Sequence, residues 1–295
     1  VIGSLKMLEE IHTQVSKKGF MKKHPILGSE LVHMYSKFSM MGKAREVFNK
    51  LLVRDVVTWN ALISGYTKNG LDNEALDCFK LMQDEGISPN GLSFSCILKA
   101  CSNMKCFEMG EEIYEEVIEK GFIKSDDENG GVVIVVNTLI SMYARCGLMF
   151  DACCALETME NRNVVSWTAL IVGYAEHGRE DEALKCFAMM QKQDCITPNA
   201  FTFSSVLKAC SNIQALNEGR KIHIQIIQLG VENHYSTGNA LVAMYAKCGC
   251  LRDAQEVFNK LTLSDSISWT ALMVGYSEYG YDEKSLSLFD EMESK

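Results

Sequence analysis

Proline, long apolar runs and an excess of basic residues are all lacking in this sequence of 295 residues. Only Pro25, Pro89 and Pro198 interrupt it, which favours helices because proline removes a backbone donor and clashes within a helix. The longest aliphatic run, 132–136, is far too short to cross a bilayer. We therefore expect a soluble helical chain that does not enter a membrane.

Paired metal-binding motifs are also missing. The sequence has no CxxC and no HxE, so the signature of a zinc deaminase does not occur in it. The twelve cysteines instead recur at repeated positions, namely Cys101 and Cys210, Cys78 and Cys186, and Cys146 and Cys248. Buried, reduced cysteine acting as a small hydrophobe is the simplest interpretation, and a metal or disulfide role is the alternative.

Three copies of one segment give the organisation of the chain. VVTWNALISGYTKNG, VVSWTALIVGYAEHG and SISWTALMVGYSEYG contain Trp59, Trp167 and Trp269 at the same place. Internal repeats of 30 to 40 residues are typical of arrays in which each repeat packs on its neighbours. Val1 stands in mid-pattern, so we expect a piece of a longer array.

The copies align as three classes of about 35, 35 and 31 residues in cyclic order. The predicted boundaries are 1–24, 25–55, 56–90, 91–132, 133–163, 164–199, 200–234, 235–265 and 266–295, the first and last units being partial. The fourth unit includes an acidic, glycine-containing insertion at 125–131, whose composition predicts a solvated loop.

Each unit is predicted to form two helices. In the unit 56–90, Trp59, Leu62, Ile63 and Tyr66 follow one apolar stripe of a first helix, and Gly70 ends the pattern. A second helix follows with Ala75, Phe79 and Met82 on its buried side, and Pro89 closes the unit. We interpret the tryptophans as packing residues, although a binding platform is the alternative.

These strings resemble a known family. VVTWNALISGYTKNGLDNEALDCFKLM, FTFSSVLKACSNIQALNEGRKIH and GNALVAMYAKCGCLRDAQEVF are similar to the P, L and S motifs of plant pentatricopeptide repeat proteins of the PLS subfamily. The P class covers 56–90, 164–199 and 266–295; the L class covers 1–24, 91–132 and 200–234; the S class covers the rest. The resemblance implies an all-α fold, a right-handed α-solenoid.

The resemblance also implies binding of single-stranded RNA at one nucleotide per repeat. In the family, the base is chosen by the fifth residue of a repeat together with its last. Carried onto this sequence, the pairs are Ser29 with Asp55, Asn60 with Asn90, Asn137 with Asn163, Thr168 with Asn199 and Asn239 with Asp265, while Thr270 lacks its partner. The family's code gives a target of roughly 5′-G-Y-N-Y-A-N-U-R-3′.

Some assignments stay open. The L repeats offer Ser95 and Ser204, but their last residues, Asp126 and His234, follow the code poorly, so those nucleotides stay blank. Each small polar residue is alternatively a helix cap. The second residue of a repeat flanks the base in the family, or completes the core; these residues are Ile26, Val57, Ile134, Val165 and Ile267, with Ser236 as an exception.

The charge of the chain is unfavourable for RNA but unevenly distributed. The formal net charge is −9, whereas Lys and Arg normally neutralise phosphates. Residues three to thirteen of the first helices nevertheless carry six cations against three anions. Four cations occupy the thirteenth position and are candidate phosphate contacts or solvated helix ends: Lys37, Lys68, Arg145 and Lys247. Glu176 and Glu278 hold the same position in two P repeats and weaken this expectation.

Three functions remain open. The first is an RNA-recognition adaptor in a mitochondrion or chloroplast, which the resemblance implies for a C-to-U editing factor that works with other editing proteins. The second is a protein-binding solenoid, which would need apolar anchors at the variable positions. The third is an enzyme, which no clustered His, Cys, Asp or Glu supports; a deaminase-like domain could follow residue 295. We predict no cofactor, no metal and no small-molecule substrate.

Overall fold

The computed structural model describes residues 2–17, 25–120, 131–232, 234–261 and 265–294, and these ranges contain helices and connecting turns without a strand. The helices are α1 Ile2–Lys17, α2 Pro25–Lys37, α3 Met41–Asn49, α4 Val56–Lys68, α5 Asp72–Asp84, α6 Gly91–Met104, α7 Phe107–Glu119, α8 Gly131–Arg145, α9 Met149–Glu157, α10 Val164–Glu176, α11 Glu180–Lys192, α12 Ala200–Asn212, α13 Leu216–Gln228, α14 Tyr235–Lys247, α15 Leu251–Lys260, α16 Ser266–Glu278 and α17 Asp282–Ser294. The predicted all-α class is therefore confirmed.

The chain divides into two units, Val1–Leu148 and Met149–Lys295. Within each unit the helices form successive hairpins, and the first helix of one hairpin packs on the first helix of the next. The second helix packs on its own first helix and on the following one, as α5 does on α4 and α6. Each unit is thus a stack of helical hairpins that share a continuous core.

The first helices start where the repeats were predicted to start. Helices α2, α4, α6, α10, α12, α14 and α16 begin at the first residue of their predicted units. Helix α8 begins at Gly131, two residues before the predicted boundary at 133. Apart from that glycine, the predicted loop insertion at 125–131 lies outside the described residues, as does Asp126.

The tryptophans are core residues, as interpreted from their spacing. Trp59, Trp167 and Trp269 are 1–3 % exposed. The rings of Phe48 on α3 and Trp59 meet edge-on, with their centroids 4.6 Å apart. The rings of Phe258 on α15 and Trp269 meet in the same way, also with centroids 4.6 Å apart. Because each aromatic pair joins a second helix to the next repeat, the same contact fixes the stacking of successive hairpins.

A small residue allows neighbouring first helices to approach closely. A Cβ added to Gly275 of α16 would lie 2.6 Å from the Cβ of Ala246 on α14. A Cβ added to the equivalent Gly65 of α4 would lie 2.3 Å from Oγ of Ser36 on α2. These contacts leave no room for a side chain, so the tenth position of a P repeat is restricted to glycine by packing.

Four of the cysteines are part of the packing. Cys78, Cys101, Cys186 and Cys210 are buried, and burial raises the pKa of Cys101, Cys186 and Cys210 to about 12, which keeps these thiols protonated. Cys146 and Cys248 are half-buried. Among the described residues there is no cluster of His, Cys, Asp and Glu suited to a metal, and no helix has the length and apolar character to cross a membrane.

Candidate nucleic-acid interface

The last residue of a repeat caps the first helix of the next one. An α-helix starts with backbone N–H groups that have no partner in the helix, and an Asp or Asn side chain just before it can accept from them. Five predicted last-position residues do so with extended backbones, accepting from the N–H group three residues on: Asp55, Asn90, Asn163, Asn199 and Asp265. The cap alternative raised from the sequence is therefore present at all five.

Two fifth-position asparagines bond directly to these caps. Asn60 Nδ2 donates to Asn90 Oδ1 at 3.0 Å, and Asn239 Nδ2 donates to Asp265 Oδ2 at 2.8 Å. Both asparagines are buried, at 4 % and 7 % exposure, while Asn90 is exposed and Asp265 half-buried. The predicted pairs thus form one polar group at the junction of two repeats.

Two shorter fifth-position side chains reach the cap through an intermediate hydroxyl. Ser29 Oγ lies 2.7 Å from Thr58 Oγ1, which donates to Asp55 Oδ1 at 2.7 Å. Thr168 Oγ1 lies 2.6 Å from Thr202 Oγ1, which donates to Asn199 Oδ1 at 3.0 Å. The intermediate residue is the third of the following repeat in both cases. Serine and threonine are too short for the direct bond that asparagine makes.

The remaining predicted readers have other surroundings. Asn137 is half-buried on α8 in the first unit, and Asn163 caps α10 in the second. Thr270 is exposed and donates to the backbone oxygen of Ser266 at 2.6 Å. Thr270 belongs to the last repeat of the sequence, so no following cap is available in it.

The L repeats depart from this arrangement. Ser204 Oγ donates to the backbone oxygen of Ala200 at 2.8 Å, and Ser95 Oγ lies 2.9 Å from Thr138 Oγ1. His234 precedes α14 but makes no side-chain capping bond, and its Nδ1 lies 2.9 Å from Ser236 Oγ. At the described L junction the fifth residue, Ser204, and the last residue, His234, thus bond to other partners and not to each other. The nucleotides of the L repeats stay unassigned.

The second residues of the P and S repeats form an exposed apolar series. The exposure of their side chains lies between 47 % and 76 %, for Ile26, Val57, Ile134, Val165 and Ile267. Leu92 and Phe201 hold the same position in the L repeats and are 53 % and 61 % exposed. Burial in the core between repeats, the alternative left open by the sequence, is therefore excluded. Exposed apolar side chains at a fixed register are available for contact with a ligand.

The thirteenth position carries a repeated polar network. Arg145 donates to Asn103 Oδ1 at 3.2 Å, and Asn103 Nδ2 donates to Asp72 at 3.1 Å. Lys247 likewise donates to Asn212 Oδ1 at 3.1 Å, and Asn212 Nδ2 donates to Glu180 at 3.0 Å. Lys37 and Lys68 are exposed at the equivalent position.

Sequence reasoning missed two sets of residues in this arrangement. Asn103 and Asn212 are the final residues of the two LKACSN strings, so alignment at position thirteen would have placed them beside Arg145 and Lys247. The third-position hydroxyls Thr58 and Thr202 follow an Asp or Asn by three residues, a spacing typical of a helix start. That spacing signals capping, but it gives no indication of the bond to the preceding repeat.

Comparison with known families identifies the repeat. Models of the PPR repeat family match residues 54–103 and 162–212, and models of the PPR repeat match 92–122, 134–164, 239–265 and 267–295. Together the matched residues make up more than half of the chain. The chain belongs to the pentatricopeptide repeat family. The family expected from the P, L and S strings is thereby confirmed.

Curated pentatricopeptide repeat proteins of Arabidopsis thaliana resemble the chain along nearly its whole length. The pentatricopeptide repeat-containing protein At4g18520, chloroplastic, is 33 % identical over 99 % of the chain and 46 % of its own length. The protein At3g24000, mitochondrial, is 35 % identical over 90 % of the chain and 41 % of its own length. The chain spans about half the length of the curated relatives it matches.

Solved pentatricopeptide repeat structures share the fold. The structure of PPR10 from maize matches with a TM-score of 0.64 at 21 % identity, covering 90 % of this chain and 39 % of that one. A cysteine-to-serine variant of PPR10 in complex with an 18-nt PSAJ RNA element matches with a TM-score of 0.72 at 17 % identity, covering 95 % of this chain and 42 % of that one. At these identities the likeness establishes the fold.

The two acidic caps of this pentatricopeptide repeat array are held ionised. The hydroxyl of Thr58, followed by backbone N–H groups, donates to Asp55 and lowers the pKa of its carboxyl below the ordinary value. Burial opposes ionisation of Asp265, but bonds from the backbone of Ser268 and from Asn239 outweigh it and lower its pKa as well. Both caps therefore act as acceptors at neutral pH.

We predict that Asp55→Asn removes a pH-dependent part of the stability. Because the folded pKa of Asp55 is lowered, its stabilising contribution is complete above the unfolded value of about 4 and is lost as the pH falls through the folded pKa. Asparagine keeps the capping oxygen without the charge. The thermal midpoints of the two proteins should therefore converge between about pH 5 and pH 2.

Asp55→Ala is the control for capping itself. It removes the acceptor at every pH and should cost about 0.5–2 kcal/mol at neutral pH. A constant difference between the original protein and Asp55→Asn across the acid range would show that the carboxylate is not stabilised by its bonds to Thr58.

Proposed function

We propose that this chain binds single-stranded RNA in a sequence-dependent manner, with one nucleotide facing each P or S junction. The observation that carries the proposal is the bonding of a fifth residue to the cap of the next repeat, directly at Asn60 and Asn239 and through a hydroxyl at Ser29 and Thr168. A polar group of this kind, repeated at four P or S junctions, presents defined donors and acceptors along the stack. Repeat proteins of helical hairpins read bases in this way.

Hydrogen-bonding capacity supports the base assignments. Ser29 and Asp55 offer acceptors, which suit the N–H groups on the pairing edge of guanine. At the Thr168 junction, Asn199 Oδ1 is engaged by the Thr202 backbone and hydroxyl, so its Nδ2 donors remain for adenine N1. Asn239 retains a second N–H and its Oδ1, a donor and acceptor set that suits uracil. The pairs Asn60 with Asn90 and Asn137 with Asn163 are assigned to pyrimidines, and Thr270 to a purine.

Exposed apolar residues and cations complete the proposed RNA path. Ile26, Val57, Ile134, Val165 and Ile267 would flank the bases by contact with their faces, because they are exposed beside each junction. The thirteenth-position cations Lys37, Lys68, Arg145 and Lys247 would meet phosphates, eight residues along the same helix from each reader. Glu176 and Glu278 interrupt this series, so we expect weak, salt-sensitive binding.

We assign the chain to the PLS subfamily. The second helices of the S repeats contain 9 or 10 residues in α3, α9 and α15, whereas those of the P and L repeats contain 13 in α5, α7, α11 and α13. Alternation of two hairpin lengths is what the P, L and S classes require. The chain would then be the recognition part of an organellar C-to-U editing factor, with the chemistry supplied by another domain or by partner editing proteins.

The proposed cellular site is a chloroplast or mitochondrion. Support comes from the relatives At4g18520 and CRR2, which are named chloroplastic, and from At3g24000, which is named mitochondrial. A protein-binding scaffold is the second candidate, because the exposed apolar series and the net charge of −9 would also suit a basic peptide. The two candidates differ in whether the preferred ligand carries a base sequence.

Binding to matched oligonucleotides tests the function. The purified chain should shift an RNA carrying 5′-G-Y-N-Y-A-N-U-R-3′ and should bind an RNA with its specified bases exchanged at least tenfold more weakly, since several mismatches each weaken binding. Gel shift and fluorescence anisotropy at low salt measure both affinities. Equal affinity for the two RNAs would contradict the base assignments, and binding of neither would favour the protein scaffold.

Salt dependence tests the phosphate contacts. Lys247→Gln should weaken binding to all RNA sequences alike and reduce the slope of log K against log salt by about 0.7, because one fewer counterion is released from a single strand. Lys260→Gln is the matched control, since Lys260 lies on the second helix α15 and pairs with Glu256. An unchanged slope for Lys247→Gln, or an equal change for Lys260→Gln, would show that position thirteen does not contact phosphate.

A further inference from the structure

At the P and S junctions a further polar side chain lies beside the fifth and last residues. It belongs to the third residue of the following repeat. At five P or S junctions the third residue of the following repeat has a hydroxyl that is completely buried: Thr58, Ser93, Ser166, Thr202 and Ser268. At 0 % exposure these side chains cannot touch an RNA base. They do contact both the cap and, at three of the junctions, the fifth residue of the preceding repeat.

We infer that Thr202, through its hydroxyl, is a positioning residue for base discrimination at the Thr168 junction, and that the third-position hydroxyl is dispensable for it where the preceding fifth residue is asparagine. This inference rests on the proposed RNA-reading function. It adds the third residue of the next repeat to the fifth and last residues as a determinant of specificity. Thr202 acts in the first way, and Ser93 and Ser268 in the second.

The direction of the hydrogen bonds gives the physical reason. A hydroxyl has one hydrogen to donate, and Thr202 gives it to Asn199 Oδ1 at 3.0 Å. The contact of 2.6 Å between Thr168 and Thr202 allows either hydroxyl to donate, and with the Thr202 hydrogen on Asn199 we assign the donor to Thr168. The hydrogen of Thr168 is thereby committed within the junction, and only its acceptor lone pairs are left for a base.

A Thr168 hydroxyl held as an acceptor can distinguish adenine from guanine, whereas a hydroxyl that is free to rotate cannot. Thr168 as an acceptor suits the exocyclic N–H group of adenine and rejects the carbonyl oxygen that guanine has at the same place. Without Thr202 Oγ1, the Thr168 hydroxyl can turn and donate to that carbonyl, and the two purines become more nearly equivalent. The cap of α12 survives this loss, since Asn199 Oδ1 still accepts from the Thr202 backbone at 2.9 Å.

The asparagine junctions provide an internal control. Asn60 Nδ2 donates directly to Asn90 Oδ1 at 3.0 Å, and that bond alone fixes which end of the amide faces the cap. Ser93 Oγ adds a bond to Asn60 Oδ1 at 2.6 Å, but removing it leaves the amide orientation set. At the Asn239 junction, the direct bond to Asp265 of 2.8 Å is present and the Ser268 hydroxyl donates to the backbone oxygen of Asp265 instead.

Thr202→Val tests the inference in the complete chain. Valine keeps the shape and the backbone N–H but lacks the hydroxyl. We expect the ratio of affinities for RNAs with A or G at the nucleotide of the Thr168 junction to fall by roughly five- to tenfold, while discrimination at the other nucleotides is unchanged. Thr202→Ser keeps the hydroxyl and should retain the original ratio.

Ser93→Ala is the matched control, because it removes a buried third-position hydroxyl and its capping bond at an asparagine junction. The ratio of its affinities for RNAs that differ at the nucleotide of the Asn60 junction should stay within about twofold of the original. The thermal midpoint of each variant measures any common loss of stability. The inference is overturned if Thr202→Val retains the original ratio of affinities for A and G. It is also overturned if Ser93→Ala loses base discrimination at the Asn60 junction to the same extent. Failure of the unmodified chain to bind RNA would instead overturn the proposed function.

Discussion

The rest of the interface depends on one constraint, the need of every first helix for an acceptor at its N-terminus. The first backbone N–H groups of a helix have no partner within it, and Asp55, Asn90, Asn163, Asn199 and Asp265 supply one. Capping holds one oxygen of each side chain in place. The remaining polar atoms of the cap are therefore fixed in orientation, and they lie beside the fifth residue of the preceding hairpin in the pairs that bond. In the proposed function, the residue that caps a helix is therefore also the residue that reads a base.

This sharing explains why small polar residues recur at the fifth and last positions of the P and S repeats. A fifth residue must reach a cap whose location the helix start has already determined, which asparagine does directly and Ser29 and Thr168 do through Thr58 and Thr202. The junction after Ser204 ends in His234, which makes no side-chain capping bond, and Ser204 turns back to the backbone of its own helix. The L repeats contribute packing and, through Asn103 and Asn212, contact with the thirteenth-position cations.

Much of the fold could be predicted from the sequence, because packing recurs at fixed spacing. The stripe from Trp59 to Tyr66 predicts a buried helix face, and glycine with proline predicts where a hairpin ends. The start of α8 at Gly131 was not predictable in this way, since it adjoins an insertion with no counterpart in the other copies. The pairing of fifth and last residues came from family resemblance. The third-position hydroxyls could not be recognised as links between repeats, because their spacing to Asp or Asn is explained by capping alone until the neighbouring helix is placed.

The identity of the fifth residue at a single junction tests the central claim most directly. Asn239→Ser gives that junction the same fifth residue and cap as the junction of Ser29 with Asp55, and Ser268 supplies a buried hydroxyl at the third position. Affinities should be measured for four RNAs that differ only at the nucleotide assigned to Asn239. The account predicts that the preferred base changes from U to G, with the other nucleotides read as before. Retention of the preference for U, or an equal loss of affinity for all four RNAs, would contradict it.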